Sequence, residues 1–133
     1  MRTPVFMIVV LFALAACSKS SDFDKATGSA VGPRDAVLGA WKAAKLPASA
    51  LTPATVTFAK DCQSGTVEGI DVLLCSFASA AEAKAAELQG LTWINQATGA
   101  SLAHGAALVV LADRRKIDPS GRTINRLMKL APK

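Results

Sequence analysis

The sequence predicts an α+β fold in which a small antiparallel sheet carries helices packed on one face. Three observations favour this class. Apolar residues recur at helical spacing near both ends of the domain, a short β-branched apolar run lies between them, and turn residues separate several extended stretches. The predicted elements follow the order α, β, β, α, β or ββ, α.

The first helix is predicted over residues 34–45, where Val37 and Trp41 lie four residues apart on an apolar side. Charged residues take the opposite side. Leu46-Pro47 ends the pattern, because proline cannot continue a helix. The indole of Trp41 therefore belongs to the predicted core.

Extended structure is predicted after this helix. Residues 55–60 alternate as a strand, residues 61–65 resemble a turn, and residues 66–77 form a second extended stretch. Gly69 indicates a bulge or a bend, so this stretch is either one kinked strand or two short ones. Residues 106–112 are apolar with a β-branched centre, which favours a buried central strand.

A second helix is predicted to begin at Ser79. Ser79 and Glu82 match a capping box, in which two side chains satisfy free backbone donors at a helix start. The helix is expected to run to about Gly90. Its predicted inward side consists of Ala81, Ala85 and Leu88.

The last helix is predicted to open at Asp118-Pro119, because aspartate caps free backbone N–H groups and proline suits the first turn. Its apolar side carries Ile124, Leu127, Met128 and Ala131. Its basic side carries Arg122, Arg126, Lys129 and Lys133. This pattern predicts an amphipathic helix with a positive outer surface.

Residues 1–16 are typical of an export signal. Arg2 precedes an uncharged apolar run over residues 5–13, which is too short to span a bilayer as a permanent helix. The run ends in Leu14-Ala15-Ala16-Cys17, which resembles the lipobox of bacterial lipoproteins. The resemblance implies removal of the signal, diacylglycerol on the Cys17 thiol and acylation of the new amino group. An ordinary secretory signal is the alternative.

Residues 17–33 are predicted to be the lipidated cysteine and a flexible tether, because they are polar and lack apolar periodicity. A random coil of this length has an end-to-end distance of about 20 to 24 Å. By resemblance to Gram-negative lipoproteins, Ser18 after the cysteine implies the outer membrane. The expected location is therefore the cell envelope, with the domain close to the lipid headgroups.

Residues 34–133 form the single predicted domain, since about one hundred residues suffice for one small core. The domain resembles small uncharacterised exported lipoproteins. Its most pattern-like stretches are Cys62-x-x-Gly65-x-Val67-x-Gly69 and Asp113-Arg114-x-x-x-Asp118-Pro119-x-Gly121. The resemblance implies no activity.

The net charge of +5 is concentrated at the carboxyl end. Residues 113–133 contain seven basic and two acidic side chains, whereas residues 17–112 contain seven basic and eight acidic ones. A positive patch on a tethered domain attracts anionic headgroups, lipopolysaccharide phosphates or an acidic protein. The alternative is an ordinary solvated helix face.

Cys62 and Cys75 are expected to form a disulfide, because Cys17 is assigned to lipid and an exported protein meets an oxidising compartment. A reactive or metal-binding pair is the alternative. The sequence has one histidine, so neither a metal site nor a cofactor is expected. His104 is interpreted as a turn or strand-edge residue.

Asp61, Glu68 and Asp71 cluster in sequence and are interpreted as solvated surface instead of a pair of catalytic carboxylates. Trp41 and Trp93 are both expected to pack in the domain. Trp93 is the better ligand candidate of the two, because Trp41 lies on the apolar side of its helix.

These observations favour a non-enzymatic envelope module that is held to a membrane by its lipid. The module is expected to bind an envelope protein or an anionic envelope component through Arg122, Arg126 and Lys129, and nucleic acid does not fit the compartment. One alternative is a periplasmic enzyme that uses a free Cys62 or Cys75 as nucleophile. Another is a structural subunit of an envelope complex.

Overall fold

A five-stranded antiparallel sheet forms the centre of the domain. The computed structural model describes residues 32–133. The elements are α1 (Pro33–Ala43), β1 (Ser49–Val56), β2 (Ala59–Val67), β3 (Ile70–Ser76), α2 (Ala80–Ala85), α3 (Glu87–Ile94), β4 (Thr98–His104), β5 (Ala107–Asp113) and α4 (Arg122–Leu130). The strand order is β1-β2-β3-β5-β4, so the connection through α2 and α3 passes over the position of β5.

Two-residue turns join the strands that follow each other directly. Between β2 and β3, Glu68 and Gly69 have φ values of 53° and 83°. Two successive positive φ values suit a tight hairpin, because their twist matches that of the flanking strands. The stretch predicted over residues 66–77 is therefore two strands. Gly105 has a φ of 61° in the turn between β4 and β5.

The predicted class is confirmed: the fold is α+β, with a small antiparallel sheet and helices packed against it. The helices, however, cover both faces of the sheet and not one. Side chains of β3 and β5 alternate between two hydrophobic clusters. One includes Val72, Val109 and residues of α1 and α4. The other includes Leu73 and Val110, together with Ile94 of α3 and Ala86 at the junction of α2 and α3.

The composition of β5 explains why both faces are covered. All seven of its residues are buried, so apolar side chains point to both faces. A strand with apolar side chains on both faces of the sheet needs helices on both faces to remove these side chains from water. We call α1 and α4 the first layer, and α2 and α3 the second layer.

Trp41 joins the two helices of the first layer. Its side chain is fully buried, and its indole Nε1 donates a hydrogen bond to the carbonyl of Leu127 at 2.9 Å. That carbonyl is among the last four of α4, which have no partner inside a helix. The predicted core position of Trp41 is confirmed, and its N–H also caps α4.

The prediction for residues 55–65 was wrong. The expected strand over residues 55–60 contains the turn between β1 and β2, and the expected turn over residues 61–65 lies inside β2. Ser64 is extended here because it pairs with both β1 and β3, and Gly65 because it pairs with β3. Gly65 is required at its position, since an added Cβ would meet the carbonyl oxygen of Ser49 at 2.6 Å.

The second predicted helix is two helices, separated at Ala86. Ser79 caps the first as expected, accepting a hydrogen bond from the backbone N–H of Glu82 at 3.2 Å. The inward side differs from the prediction and consists of Ala83, Ala86 and Gly90, while Leu88 is 76% exposed. Small residues face inward because α3 lies close to β4, and a Cβ at Gly90 would collide with Ser101.

The last helix begins later than predicted, at Arg122. The N-cap residue is Gly121 and not Asp118 as predicted, although Asp118 Oδ2 accepts a hydrogen bond from the backbone N–H of Ile124 in the first turn at 3.0 Å. The predicted apolar side of this helix is confirmed, since Ile124, Leu127, Met128 and Ala131 are all buried.

Candidate functional site

The basic side of α4 is presented to solvent. Arg122, Arg126 and Lys129 are exposed, while the apolar side of the same helix packs on the sheet. Within residues 32–133, none of these three side chains makes an ion pair. Their charges are therefore directed outward instead of being neutralised by the domain's own carboxylates.

The two helix layers differ in charge. The first layer, α1 and α4, has five basic residues and one acidic residue, Asp35. The second layer, α2 and α3, has one basic residue and two acidic residues. Arg34 of the first layer pairs with Asp61 at 2.7 Å, which leaves Lys42 and the three α4 cations as its outward charge. The helices of the first layer thus have a net charge of +4, and those of the second layer a net charge of −1.

A second group of cations follows β5. Asp71 accepts hydrogen bonds from both Arg114, at 3.2 Å, and Arg115, at 2.8 Å. Arg114 also donates to the carbonyl of Trp93 at 2.6 Å, and its guanidinium carbon lies 4.2 Å from the centre of the Trp93 ring. Trp93 is half-buried, and it packs both against the second hydrophobic cluster and under the guanidinium of Arg114.

The loop between β5 and α4 is held by a buried carboxylate. Asp113 is 4% exposed, and its two oxygens accept hydrogen bonds from the backbone N–H groups of Ile117 and Asp118 at 2.9 and 2.8 Å. Within this loop Lys116 is exposed and has a φ of 59°. These hydrogen bonds hold the backbone of the loop that carries Arg114, Arg115 and Lys116.

A groove of about 610 Å³ opens between this loop and the turn that follows α3. Uncharged polar side chains line one wall, and two cations together with the carboxylate of Asp113 line the other. The other residues that carry these groups are Asn95, Gln96, Thr98, Arg114 and Lys116. Its size lies in the range of small-molecule sites, about 300 to 1,000 Å³.

Sequence reasoning did not find this groove. The sequence contains the pattern Asp113-Arg114-x-x-x-Asp118-Pro119, but nothing in it indicates that this stretch lies beside residues 95–98. The link arises because β4 and β5 pair Thr98 with Asp113, which brings the two segments side by side. Asn95-Gln96 before a strand is a weak signal that is common in turns.

The predicted disulfide is present between Cys62 and Cys75. The two residues face each other directly in the β2–β3 hairpin, with their Cα atoms 4.0 Å apart, and both are buried. In this state neither sulfur is a free thiol. The predicted lipidation site, Cys17, lies outside the described residues.

The acidic residues that cluster in sequence are separated in the fold. Asp61 pairs with Ser76 near one end of the β2–β3 hairpin, and Asp71 pairs with Thr66 near the other end. Both carboxylates are in ion pairs with arginines. Glu68 lies in the turn, so the three do not form one site.

Comparison of the chain with known protein families, with curated proteins and with solved structures gave no match. Among residues 32–133, no group of three or more His, Cys, Asp and Glu side chains could hold a metal ion. No helix in the same range is both long enough and apolar enough to cross a bilayer. The site is therefore defined by its own geometry alone.

His104 ends β4, as the strand-edge interpretation expects. Burial lowers the pKa of its imidazole below the ordinary value of 6.5, and the nearby positive charge of Lys133 lowers it further. The side chain borders a hollow of about 240 Å³ beside Pro33 and Lys133. A lowered pKa favours the uncharged imidazole, so His104 is not counted among the cations of the basic surface.

Proposed function

We propose that this protein is a lipoprotein of the bacterial envelope and that its domain binds an anionic envelope component through the first helix layer. Arg122, Arg126 and Lys129 are the principal contacts. The proposed role is that of a non-enzymatic binding module. The observation that carries the proposal is the difference in charge between the two layers.

The position of α1 supports this orientation. This helix begins at Pro33, directly after the predicted tether, and it belongs to the basic layer. A domain held from this side presents its cations toward the surface that holds it. Each lysine or arginine near an anionic membrane contributes about 1 kcal/mol of attraction, which falls off within a Debye length of about 8 Å in physiological salt.

Charge reversal tests the binding surface. A chain that begins at Ser18 keeps every described residue and has no lipid, so only the domain's own affinity is measured. Reversing two cations in Arg126→Glu/Lys129→Glu is expected to weaken binding to vesicles that contain phosphatidylglycerol by at least about 30-fold at low salt. Sedimentation with vesicles measures this affinity, with pure phosphatidylcholine as the neutral reference.

The matched control is Lys60→Glu/Lys84→Glu, which changes the net charge equally but acts on β2 and on the second layer. Both lysines are exposed, so the fold is expected to tolerate the change. Equal losses in the two double variants would mean that only the net charge matters. That result would contradict a defined binding surface.

The proposed lipid anchor is tested by the intact mass of the protein extracted from membranes. We expect a chain that begins at Cys17 with added acyl groups, because the lipobox resemblance implies both cleavage and acylation at this residue. A Cys17→Ser variant should lose these groups and stay unprocessed. A wild-type mass without acyl groups would contradict the anchor and leave the ordinary secretory signal.

A further inference from the structure

The groove between the β5–α4 loop and the α3–β4 turn has the features of a ligand site. We propose that it binds the phosphoryl group of a small ligand, with Arg114 and Lys116 as the cationic contacts and Asn95 as a neutral hydrogen-bonding contact. This site is distinct from the surface formed by α4. It extends the protein's function from attraction to a charged surface to recognition of one chemical group.

Arg114 is prepared for such a contact. Its guanidinium is held by the ring of Trp93, by the Trp93 carbonyl and by Asp71, so its direction is set before any ligand arrives. A guanidinium has five N–H donors, and these contacts use two of them. The side chain is 39% exposed and lines the groove, which leaves donors for an incoming oxyanion.

Two residues on opposite sides of the groove have a backbone that favours glycine. Asn95 has φ 61° and ψ −125°, and Lys116 has φ 59°. A side chain in this region is strained, and such strain is concentrated at functional sites. At both positions the protein has a polar side chain that lines the groove. Five non-glycine residues of the described range have a positive φ, and these two are the ones that line the groove.

The nearby carboxylates neutralise the cations of the groove only in part. Asp71 is shared between Arg114 and Arg115, so one negative charge faces two positive ones. Asp113 borders the groove, but both of its oxygens accept hydrogen bonds from the loop backbone. Lys116 makes no ion pair with any residue in the range 32–133.

The choice of a phosphoryl group follows from hydrogen-bonding geometry. A phosphate monoester offers three strongly accepting oxygens to the free donors of Arg114 and to the ammonium of Lys116, whereas a carboxylate offers two. The arginine fork suits oxyanions with several oxygens, and lysine adds a point charge. The ligand is either a soluble phosphate ester or the headgroup of a lipid.

The test uses glycine variants that suit the backbone. Asn95→Gly/Lys116→Gly removes one amide and one charge while relieving both strained positions. Its urea midpoint should therefore equal or exceed that of the wild type. We expect its affinity for glycerol 3-phosphate or for phosphatidic acid vesicles to fall at least about tenfold. Calorimetry measures the soluble ligand and sedimentation measures the vesicles, both with the chain that begins at Ser18.

The control variant Lys84→Ala/Gln89→Ala removes the same two kinds of group from exposed positions of α2 and α3. It should bind as the wild type does. Saturable binding of glycerol 3-phosphate identifies a soluble ester as the ligand, and binding of vesicles alone identifies a headgroup. Absence of saturable binding to either, or equal binding by the glycine variant, would overturn the proposal.

The test also separates this site from the surface of α4. Arg126→Glu/Lys129→Glu should leave the affinity for glycerol 3-phosphate unchanged, because these residues do not line the groove. If that variant abolished glycerol phosphate binding and the glycine variant did not, α4 would be the phosphate site and the groove would not.

Discussion

Trp41→Ala is expected to lower the free energy of unfolding by about 3 to 5 kcal/mol. The indole is fully buried between the first helix layer and the sheet, so its loss leaves a large cavity. It also removes the hydrogen bond to the Leu127 carbonyl. This carbonyl lies in the last turn of α4 and has no other partner inside the helix. Urea unfolding followed by circular dichroism measures the change.

Two further variants separate the contributions of buried volume and of the hydrogen bond to the free energy of unfolding. Trp41→Phe keeps most of the apolar volume but leaves the Leu127 carbonyl unpaired, at a cost of about 1 to 3 kcal/mol. Trp93→Ala removes a half-buried ring that supports Arg114 and should cost less than Trp41→Ala. A larger loss at Trp93 than at Trp41 would show that the first layer is not the main core.

Loss of the disulfide is expected to lower the free energy of unfolding by about 3 kcal/mol. The bond closes a short loop, with a sequence separation of 13 between Cys62 and Cys75. Without it, the unfolded hairpin gains conformational freedom, while the folded hairpin keeps its strand pairing. Urea unfolding of the oxidised protein, with and without a phosphine reductant, gives the difference.

Cys62→Ala/Cys75→Ala provides the matched comparison, because it removes the bond without leaving buried thiols. It should resemble the reduced protein in its urea midpoint and be insensitive to the reductant. An unchanged midpoint on reduction of the wild type would mean either that the bond does not form in the protein or that it contributes nothing to stability.

The parts of the fold that were predicted from sequence are those with strong local patterns. The apolar side of α4, the buried run of β5 and the core position of Trp41 depend on periodicity over a few residues. The cap at Ser79 depends on four residues in a row. Such short patterns predict the structure well because the apolar side of each helix or strand is the side that packs in the folded protein.

The parts that were missed depend on partners far away in sequence. Polar residues 61–65 are extended because strands on both sides pair with them. The inward side of α2 and α3 is set by the closeness of β4, which admits Ala83 and Gly90 but not leucine. Tertiary packing overrides local preference in both cases.

The candidate site divides in the same way. The exposure of Arg122, Arg126 and Lys129 follows from helical spacing alone, and the structure places all three on the outer side of α4. The groove depends on Asn95 and Thr98 lying beside Arg114 and Lys116, which belong to a separate loop. No local pattern contains that information, since the pairing of β4 with β5 creates it.

The position of β5 between β3 and β4 also has a consequence in time. Two-residue turns join the strands of the β1–β2–β3 meander. In contrast, two helices and β4 separate β3 from its partner β5 along the chain. Distant pairs form more slowly because they close longer loops. We therefore expect the meander and its cross-strand sulfur bridge to form before β3 pairs with β5. The basic helix, which packs beside β5, then completes the core.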